Sequence, residues 1–272
     1  MEFQPRAPRE GINVSHEHPL KEASILIVGL TMVIGIAAVV LVFFVDLVVT
    51  VIPAEAEARA LSSWIPDNLD LLSGEKQERV EQLVDRLASH WPECPYTFRV
   101  GVFGADQPNA LALPGGLILV TTKLLEDVES ENELALVLGH EIGHYRDRDH
   151  IKIFGRSFAL SLLLAVTLGR SSQGLELGTQ VTGLAVNSFS REQESKADQV
   201  GLALVQAEYG HVADSWKFFE RMAAEENDLT RLTTYLSTHP ASGDRSQRIR
   251  QIAEENGWPL EGPITPWQSS EE

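Results

Sequence analysis

Apolar positions along this chain follow three patterns. From Ile25 to Val45 there is no charged residue, and apolar character resumes after Asp46 as far as Ile52. That run exceeds the roughly 20 residues a helix needs to cross a bilayer, so residues 24–52 are expected to form a transmembrane helix. A cleaved signal peptide is the alternative, and Ala54-Glu55-Ala56 resembles a cleavage site. The run is longer than the usual signal core of about 7 to 15 residues, which favours retention. Next, Val80, Leu83, Val84 and Leu87 recur at helical spacing behind Ser73 and Gly74, which predicts an amphipathic helix over about 75–90, stopped by Pro92. Finally, Phe98, Val100 and Val102 alternate as in a strand.

The stretch NALALPGGLILVTT holds two apolar runs separated by Pro114-Gly115-Gly116, a strand, turn and strand with the first run at a sheet edge. An edge strand has free backbone groups that can pair with an extended peptide, which makes Asn109, Ala110, Leu111 and Ala112 a candidate substrate strand. An ordinary hairpin is the alternative. Ser130-Glu131-Asn132-Glu133 reads as a capping box, with Ser130 as N-cap and Glu133 at the third helical position, so the apolar run it opens, through Tyr145, lies on a helix. Further helices are expected from Ser190 to about Gln206, around Val212, Trp216 and Phe219, and around Ile249, Ile252 and Ala253. Pro53 to Ser73 reads as a connector with one short helix, and the pattern lapses from Asn227 to Asp244. The expected organisation is an N-terminal tail (1–23), the membrane helix (24–52), a linker (53–73), one catalytic domain (74–257) and a C-terminal tail (258–272), without internal repeats.

Charge narrows the function. With 39 acidic against 22 basic residues the net charge is −17, which repels a nucleic-acid backbone and excludes that class of partner. The single cysteine, Cys94, can form no internal disulfide and no cysteine-rich metal site, so a metal here must be held by His, Asp or Glu; Cys94 itself reads as a small buried hydrophobe. Arg6, Arg9 and Lys21 precede the apolar span, whereas Arg59 alone follows within the next twenty or so residues. This asymmetry places the N-terminus on the cytoplasmic side and the catalytic domain outside the cytoplasm, in a bacterium the periplasm. Asp46 falls near the outer end of the span, within reach of the interface.

The chemistry centres on LVLGHEIGHY. Positions i and i+4 share a helix face, so His140 and His144 can direct two imidazole nitrogens at one metal ion. Glu141, offset by about 100°, can take a proton from water during attack on a carbonyl and pass it to the leaving amine. Zinc suits such a site because its catalytic centres use three N or O protein ligands and keep one position open. Gly139 and Gly143 cost helix stability and make sense if a backbone or substrate approaches closely. Two partly exposed helix histidines remain the plain alternative. For a third ligand, SREQESKAD offers Glu194, with Asp198 at i+4 to orient a ligand histidine. Taken alone, these carboxylates would read as a solvated face.

The pieces NALALPGG, LGHEIGH, SREQESKAD and STHP, in that order across about residues 75 to 255, resemble the HtpX-like and CAAX-prenyl-protease-type zinc metallopeptidases, a membrane-associated group of gluzincins. The resemblance implies an α+β, mostly α, gluzincin-type domain with a small β-sheet behind one N-terminal transmembrane helix. It implies one zinc ion per chain, His140, His144 and Glu194 as metal ligands, Glu141 as general base and Asp198 as the closing aspartate of the glutamate motif. Thr238-His239-Pro240 matches the family's Thr-His-Pro element, with Arg245 and Arg248 shortly after. By that match His239 joins the catalytic group, and it, Arg245 or Arg248 would donate a hydrogen bond to the oxyanion of the tetrahedral intermediate or support the group that does. The alternative is that His239 merely anchors a loop. Relatives with several membrane spans differ from this chain, which has one sure span. Between the zinc-ligand helices lies SFALSLLLAVTLG, residues 157–169, a packed or membrane-dipping hairpin rather than a second crossing, because His144 and Glu194 must end on one side. The expected function is a membrane-anchored zinc metalloendopeptidase cutting unfolded or membrane-associated proteins in quality control. The alternatives are a non-proteolytic, chaperone-like protein that holds clients on its sheet edge and a structural membrane adaptor with accidental histidines.

Overall fold

His18 caps the N-terminus of α1 (Pro19–Val51), a helix of 33 residues whose apolar side chains are mostly exposed, with half-buried ones along its C-terminal half and Val49 buried. At about 1.5 Å per residue it is longer than the roughly 30 Å hydrocarbon layer, so its apolar surface has a solvent to match. The computed structural model describes residues 18–63, 70–168, 189–224, 239 and 245–267. Within the connector, α2 (Ala54–Leu61) buries Glu57 and Ala58, and β1 (Leu71–Leu72) pairs antiparallel with β2 (Arg99–Phe103). The segment after α1 is thus built into the domain behind it.

The remaining strands are β3 (Ala110–Leu113) and β4 (Leu117–Thr121), and the sheet order is β1-β2-β4-β3. β2 and β4 run parallel and β3 antiparallel to β4, which leaves β3 at an edge, as expected from the hairpin signal. Every residue of the central strand β4 is buried, because both its faces are covered. The amphipathic helix appears as α3 (Glu75–Ser89) and buries Val80, Leu83, Val84 and Leu87 in the core. At the hairpin turn Gly115 and Gly116 hold φ of 81° and 84°, a left-handed conformation that glycine adopts without cost. A Cβ on Gly115 would stand 2.1 Å from the Leu61 carbonyl oxygen, so the turn docks on the end of α2 only as glycine.

Among the described residues six further helices follow: α4 (Thr122–Asp127), α5 (Glu131–Arg146), α6 (Asp149–Leu168), α7 (Arg191–Tyr209), α8 (Lys217–Ala224) and α9 (Arg245–Glu255). Ser130 caps α5 by accepting from the Glu133 amide, but the expected box is only half formed. The Glu133 carboxylate turns instead to the Glu129 amide and to Arg221, a stronger, charged donor. The complete capping box lies at α7, between Ser190 and Gln193. The helix expected around Val212 begins only at Lys217; Val212 and Trp216 reach the core from the turns before it. The stretch from Asn227 to Asp244 lies outside the described residues apart from His239.

Two helix pairs position the site. α5 and α7 cross with backbones almost in contact: a Cβ on Gly139 would lie 2.9 Å from the Gly201 Cα, and one on Gly143 2.8 Å from the Ala197 Cα. The close approach inferred from these glycines is therefore that of a neighbouring helix. α6 doubles back along α1. Arg148 donates to the Val49 and Ile52 carbonyls in the last turn of α1, Arg156 grips Asp46 through Nε and Nη2 at 2.7 and 2.6 Å, and a Cβ on Gly155 would meet Val45 at 2.8 Å. By length and composition α6, like α1, is apolar enough to cross a membrane. Gly143→Val should lower the stability of the domain by about 1–3 kcal/mol, because added methyls at a filled crossing overpack it. A denaturation midpoint equal to the wild type's would show that α5 and α7 can part.

Candidate metal centre

The crossing of α5 and α7 brings His140, His144, Glu194 and Asp198 together, all buried. One ligand atom from each of His140, His144, Glu194 and His239 falls within 4.8 Å of every other. The Nε2 atoms of His140 and His144 are 3.1 Å apart. Glu194 approaches them at 3.4 Å (Oε2 to His140) and 3.5 Å (Oε1 to His144). His239 Nδ1 lies 3.1 Å from His140 Nε2 and 3.0 Å from Glu194 Oε1.

The opposite side of each ring decides what these atoms can do. His140 Nδ1 sits 2.9 Å from Asp198 Oδ1, and His144 Nδ1 faces Asp149 Oδ2 at 3.5 Å. A carboxylate can only accept, so His140 presents its N–H to Asp198 and turns the Nε2 lone pair inward; His144 has the same orientation, with Asp149 near its Nδ1 but not hydrogen-bonded to it. Two lone pairs and a carboxylate then meet in a buried space where repulsion is unscreened, an arrangement that a cation relieves. Nitrogen ligands at about 2.0–2.1 Å from a tetrahedral zinc ion stand roughly 3.3 Å apart, which is near the separations found here. Among the described residues the buried Glu194 Oε2 and Glu141 Oε1 also have no hydrogen-bond partner. The donor set therefore fits a metal ion of borderline softness.

Electrostatics agree. Burial and the neighbouring Arg245 press the His140 pKa down, but Glu194 and Asp198 outweigh them and raise it to about 9, so in the metal-free site a proton takes the cation's place. Burial would push Glu194 up, yet the three histidines hold it well below the usual carboxylate range. Asp198 is lowered too, its burial outweighed by Arg245 and His140. Glu141 goes the other way: burial raises it, and His239 and His140 only partly oppose this.

Glu141 is held by the sheet. Its Oε2 accepts from the Ala112 amide at 2.9 Å. In the antiparallel ladder Leu111 faces Leu119, and the Thr121 amide donates to Asn109 O, so Asn109 and Leu111 bond inward to β4. Ala110 and Ala112 therefore turn their backbone groups away from β4, where Ala110 is buried and the Ala112 amide meets Glu141, while Leu111, Ala112 and Leu113 are half-exposed. Of the four residues expected as a substrate strand, two face the cleft side and two hold the strand to its sheet. Tyr145 fixes the same hairpin to α5, donating to the Leu113 and Leu117 carbonyls.

Arg245 donates to Asp198 Oδ1 at 2.6 Å from Nη2 and 3.1 Å from Nε, and stacks over Phe219. Its guanidinium thus bears on Asp198 and on the Nδ1 side of His140, rather than on the face where Glu141 stands; Arg248, one turn on, is only half-buried. Sequence reasoning missed Asp149, which Gln193 also holds at 2.6 Å, and Phe189, whose ring stacks on His144 at 3.7 Å. An acid five residues beyond His144 was a readable signal; Phe189 carried none.

The model of peptidase family M48 matches residues 74–253. Among curated proteins the chain is 32% identical over 152 residues to the mitochondrial metalloendopeptidase OMA1 of Schizosaccharomyces pombe, covering 54% of this chain and 43% of that protein. It is 27% identical over 217 residues to the metalloprotease LoiP of Escherichia coli, covering 75% and 83%. With the beta-barrel assembly-enhancing protease of the same bacterium the identity is 26% over 185 residues, covering 64% and 38%. The chain thus spans under half the length of the OMA1 protein it matches and most of LoiP. Asp198→Asn should weaken metal binding by about 10- to 100-fold, as loss of a carboxylate behind a ligand histidine does elsewhere. Competition with a chelator measures it, and an unchanged affinity would mean that Asp198 does not orient His140.

Proposed function

This chain belongs to peptidase family M48, and from that premise we propose that it is a membrane-anchored, zinc-dependent endopeptidase that cuts unfolded or membrane-associated polypeptides in protein quality control. Metal dependence and polypeptide substrates come with the family; zinc, the residue roles and the topology are the proposal. The observation that carries it is the convergence of His140, His144, Glu194 and His239 beside Glu141, next to the half-exposed edge strand β3. In this reading His140, His144 and Glu194 hold one zinc ion, which supplies a Lewis acid for the scissile carbonyl and lowers the pKa of water.

The chain's own groups do the rest. The edge of β3 pairs with an extended substrate and sets the scissile bond beside Glu141. The Ala112 amide holds one Glu141 oxygen, which aims the other, Oε1, into the site. Oε1 takes a proton from the attacking water and delivers it to the amine nitrogen as the C–N bond breaks. Burial keeps Glu141 more basic than an exposed carboxylate, which suits that exchange. His239 stands between two carboxylates, with Nδ1 at 3.0 Å from Glu194 and Nε2 at 3.5 Å from Glu141, and is read as the donor to the oxyanion through Nε2 rather than a fourth metal ligand. Four protein ligands would close the site, whereas three leave room for chemistry. Arg245 acts behind Asp198, which orients His140.

The membrane placement extends the same proposal. α6 starts beside the last turns of α1 and runs antiparallel to it, so from the level of Val45 it continues roughly 20 Å along the anchor toward its N-terminal end. Phe154, Phe158, Leu162 and Val166 form an exposed stripe at every fourth position. With the N-terminus of α1 in the cytoplasm, α6 dips into the bilayer from the outer side and the catalytic residues stand at its outer surface.

Two measurements test these statements. Glu141→Gln should keep its zinc and lose about 10²- to 10⁴-fold in kcat on an unfolded protein substrate; equal cleavage would remove Glu141 as the base. Single cysteines at 158, 162 and 166 in a Cys94→Ser background, carrying a fluorophore, should be quenched by lipids brominated on their chains, while a cysteine at Glu255 should react with an impermeant maleimide from outside the cell. Quenching only by aqueous iodide would take α6 out of the bilayer, and labelling of Glu255→Cys only after lysis would invert the topology.

A further inference from the structure

Between β3 and the first turns of α6 lies a cavity of about 290 Å³, whose wall includes both Glu141 and His239. Leu111, Leu113, Ile153, Phe154 and Phe189 give it an apolar surface, and Ser157 is the small residue on its α6 side. Two of the ionisable groups in the wall are engaged by other side chains, His150 by Glu57 at 2.8 Å and His239 by Glu194, and Glu141 is held by the Ala112 amide through Oε2, which leaves Oε1 for the proton transfer described above. Its volume equals that of roughly ten waters, several times what one methyl group needs.

A peptide strand laid on the β3 edge has its alternate side chains directed to opposite faces. Because Ala112 and Glu141 line the cavity together, a residue flanking the scissile bond must send its side chain there or leave the space empty. An acidic side chain would lose its hydration beside Glu141, a basic one would pair with the Glu141 oxygen that the reaction needs, and a small one would leave apolar walls without contact. We infer that this cavity is a specificity pocket for one bulky apolar side chain, leucine or phenylalanine in size, on a residue flanking the bond to be cut. The inference rests on the endopeptidase reading above. It assigns Ile153, Phe154 and Ser157 to substrate selection, so that the helix proposed to lie in the membrane also forms one wall of the pocket.

The test uses the full zinc-loaded chain in detergent and a set of quenched-fluorescence peptides of one sequence. Each of the two residues flanking the bond is varied in turn to Ala, Leu, Phe and Glu. At one of the two positions kcat/KM should be on the order of 10²-fold higher for Leu or Phe than for Ala, with Glu lowest. Ser157→Phe, at wild-type zinc content, should bring the Phe-to-Ala ratio toward one by filling the pocket from α6. Ile153→Ala should enlarge it and move the optimum to Trp. Equal cleavage of all the peptides by the wild type would overturn the pocket while leaving the endopeptidase standing. So would a preference that both substitutions leave unchanged. Zinc-loaded protein that cuts neither these peptides nor an unfolded protein would overturn the endopeptidase, and the pocket with it.

Discussion

The distance between two helix backbones governs the site. α5 and α7 carry opposing small residues, Gly139 and Gly143 against Ala197 and Gly201, and their main chains touch; a Cβ on Gly201 would stand 2.8 Å from the His140 amide nitrogen. Helices normally pack 8–10 Å apart according to the side chains between them, and glycine and alanine allow the near limit. Glu194 lies three residues before Ala197, and Asp198 one residue after it, so the crossing delivers one carboxylate to the inward side of the histidine pair and another to its back. Each glycine costs about 0.5–1 kcal/mol of helix stability relative to alanine. Burying an uninterrupted seam against α7 offsets that.

What assembles there would be unfavourable without an ion. Glu141, Glu194, Asp198 and Asp149 lie buried around three imidazoles, and Arg245 faces Asp198 and His140. Protonation of His140, whose pKa stands near 9, relieves part of the repulsion when no metal is present. A doubly charged ion relieves more and must displace that proton, so metal binding and proton release are coupled. Folding and metal binding are coupled by the same logic, because the unfolded chain holds no such constellation.

Much of this was legible in the sequence where a local signal existed. The spacing of His140 and His144, the edge hairpin and the amphipathic α3 all follow from periodicity or turn chemistry, and the structure has each of them. Gly139 and Gly143 announced a close approach without naming the partner, because a tertiary crossing leaves no local mark on one strand of sequence. The reciprocal arm of the Ser130 box failed because Arg221, 88 residues away, offered Glu133 a better donor. Similarly, the polar groups of the 53–73 segment looked like linker composition, yet Glu57 is buried and accepts from Tyr96, Arg148 and His150. Such a network is fixed by who meets whom in space, and sequence spacing is silent about it.

That network shows why the anchor is more than a tether. Arg148, in a left-handed conformation with φ of 58°, follows the C-cap of α5 and binds the last carbonyls of α1 together with Glu57. A left-handed conformation costs a non-glycine residue roughly 1–2 kcal/mol, which charge-assisted bonds to three acceptors offset. Burial raises the Glu57 pKa, but His150, Tyr96 and Arg148 together hold it below the ordinary carboxylate value, so the acceptor stays charged. His150 in turn reaches the carbonyl of His144 at 3.3 Å. The end of the N-terminal apolar helix and the end of the helix that carries the histidine pair therefore share one set of buried bonds. Farther along, Asp46 and Arg156 neutralise each other between α1 and α6; either alone would be an unpaired charge against apolar surface, so the pair also fixes the register of the two helices. The chain leaves the site along α6 after His144 and returns at Ser190 to deliver Glu194. His144 and Glu194 stand 3.5 Å apart, so the candidate metal centre sits where the chain departs for α6 and where it comes back.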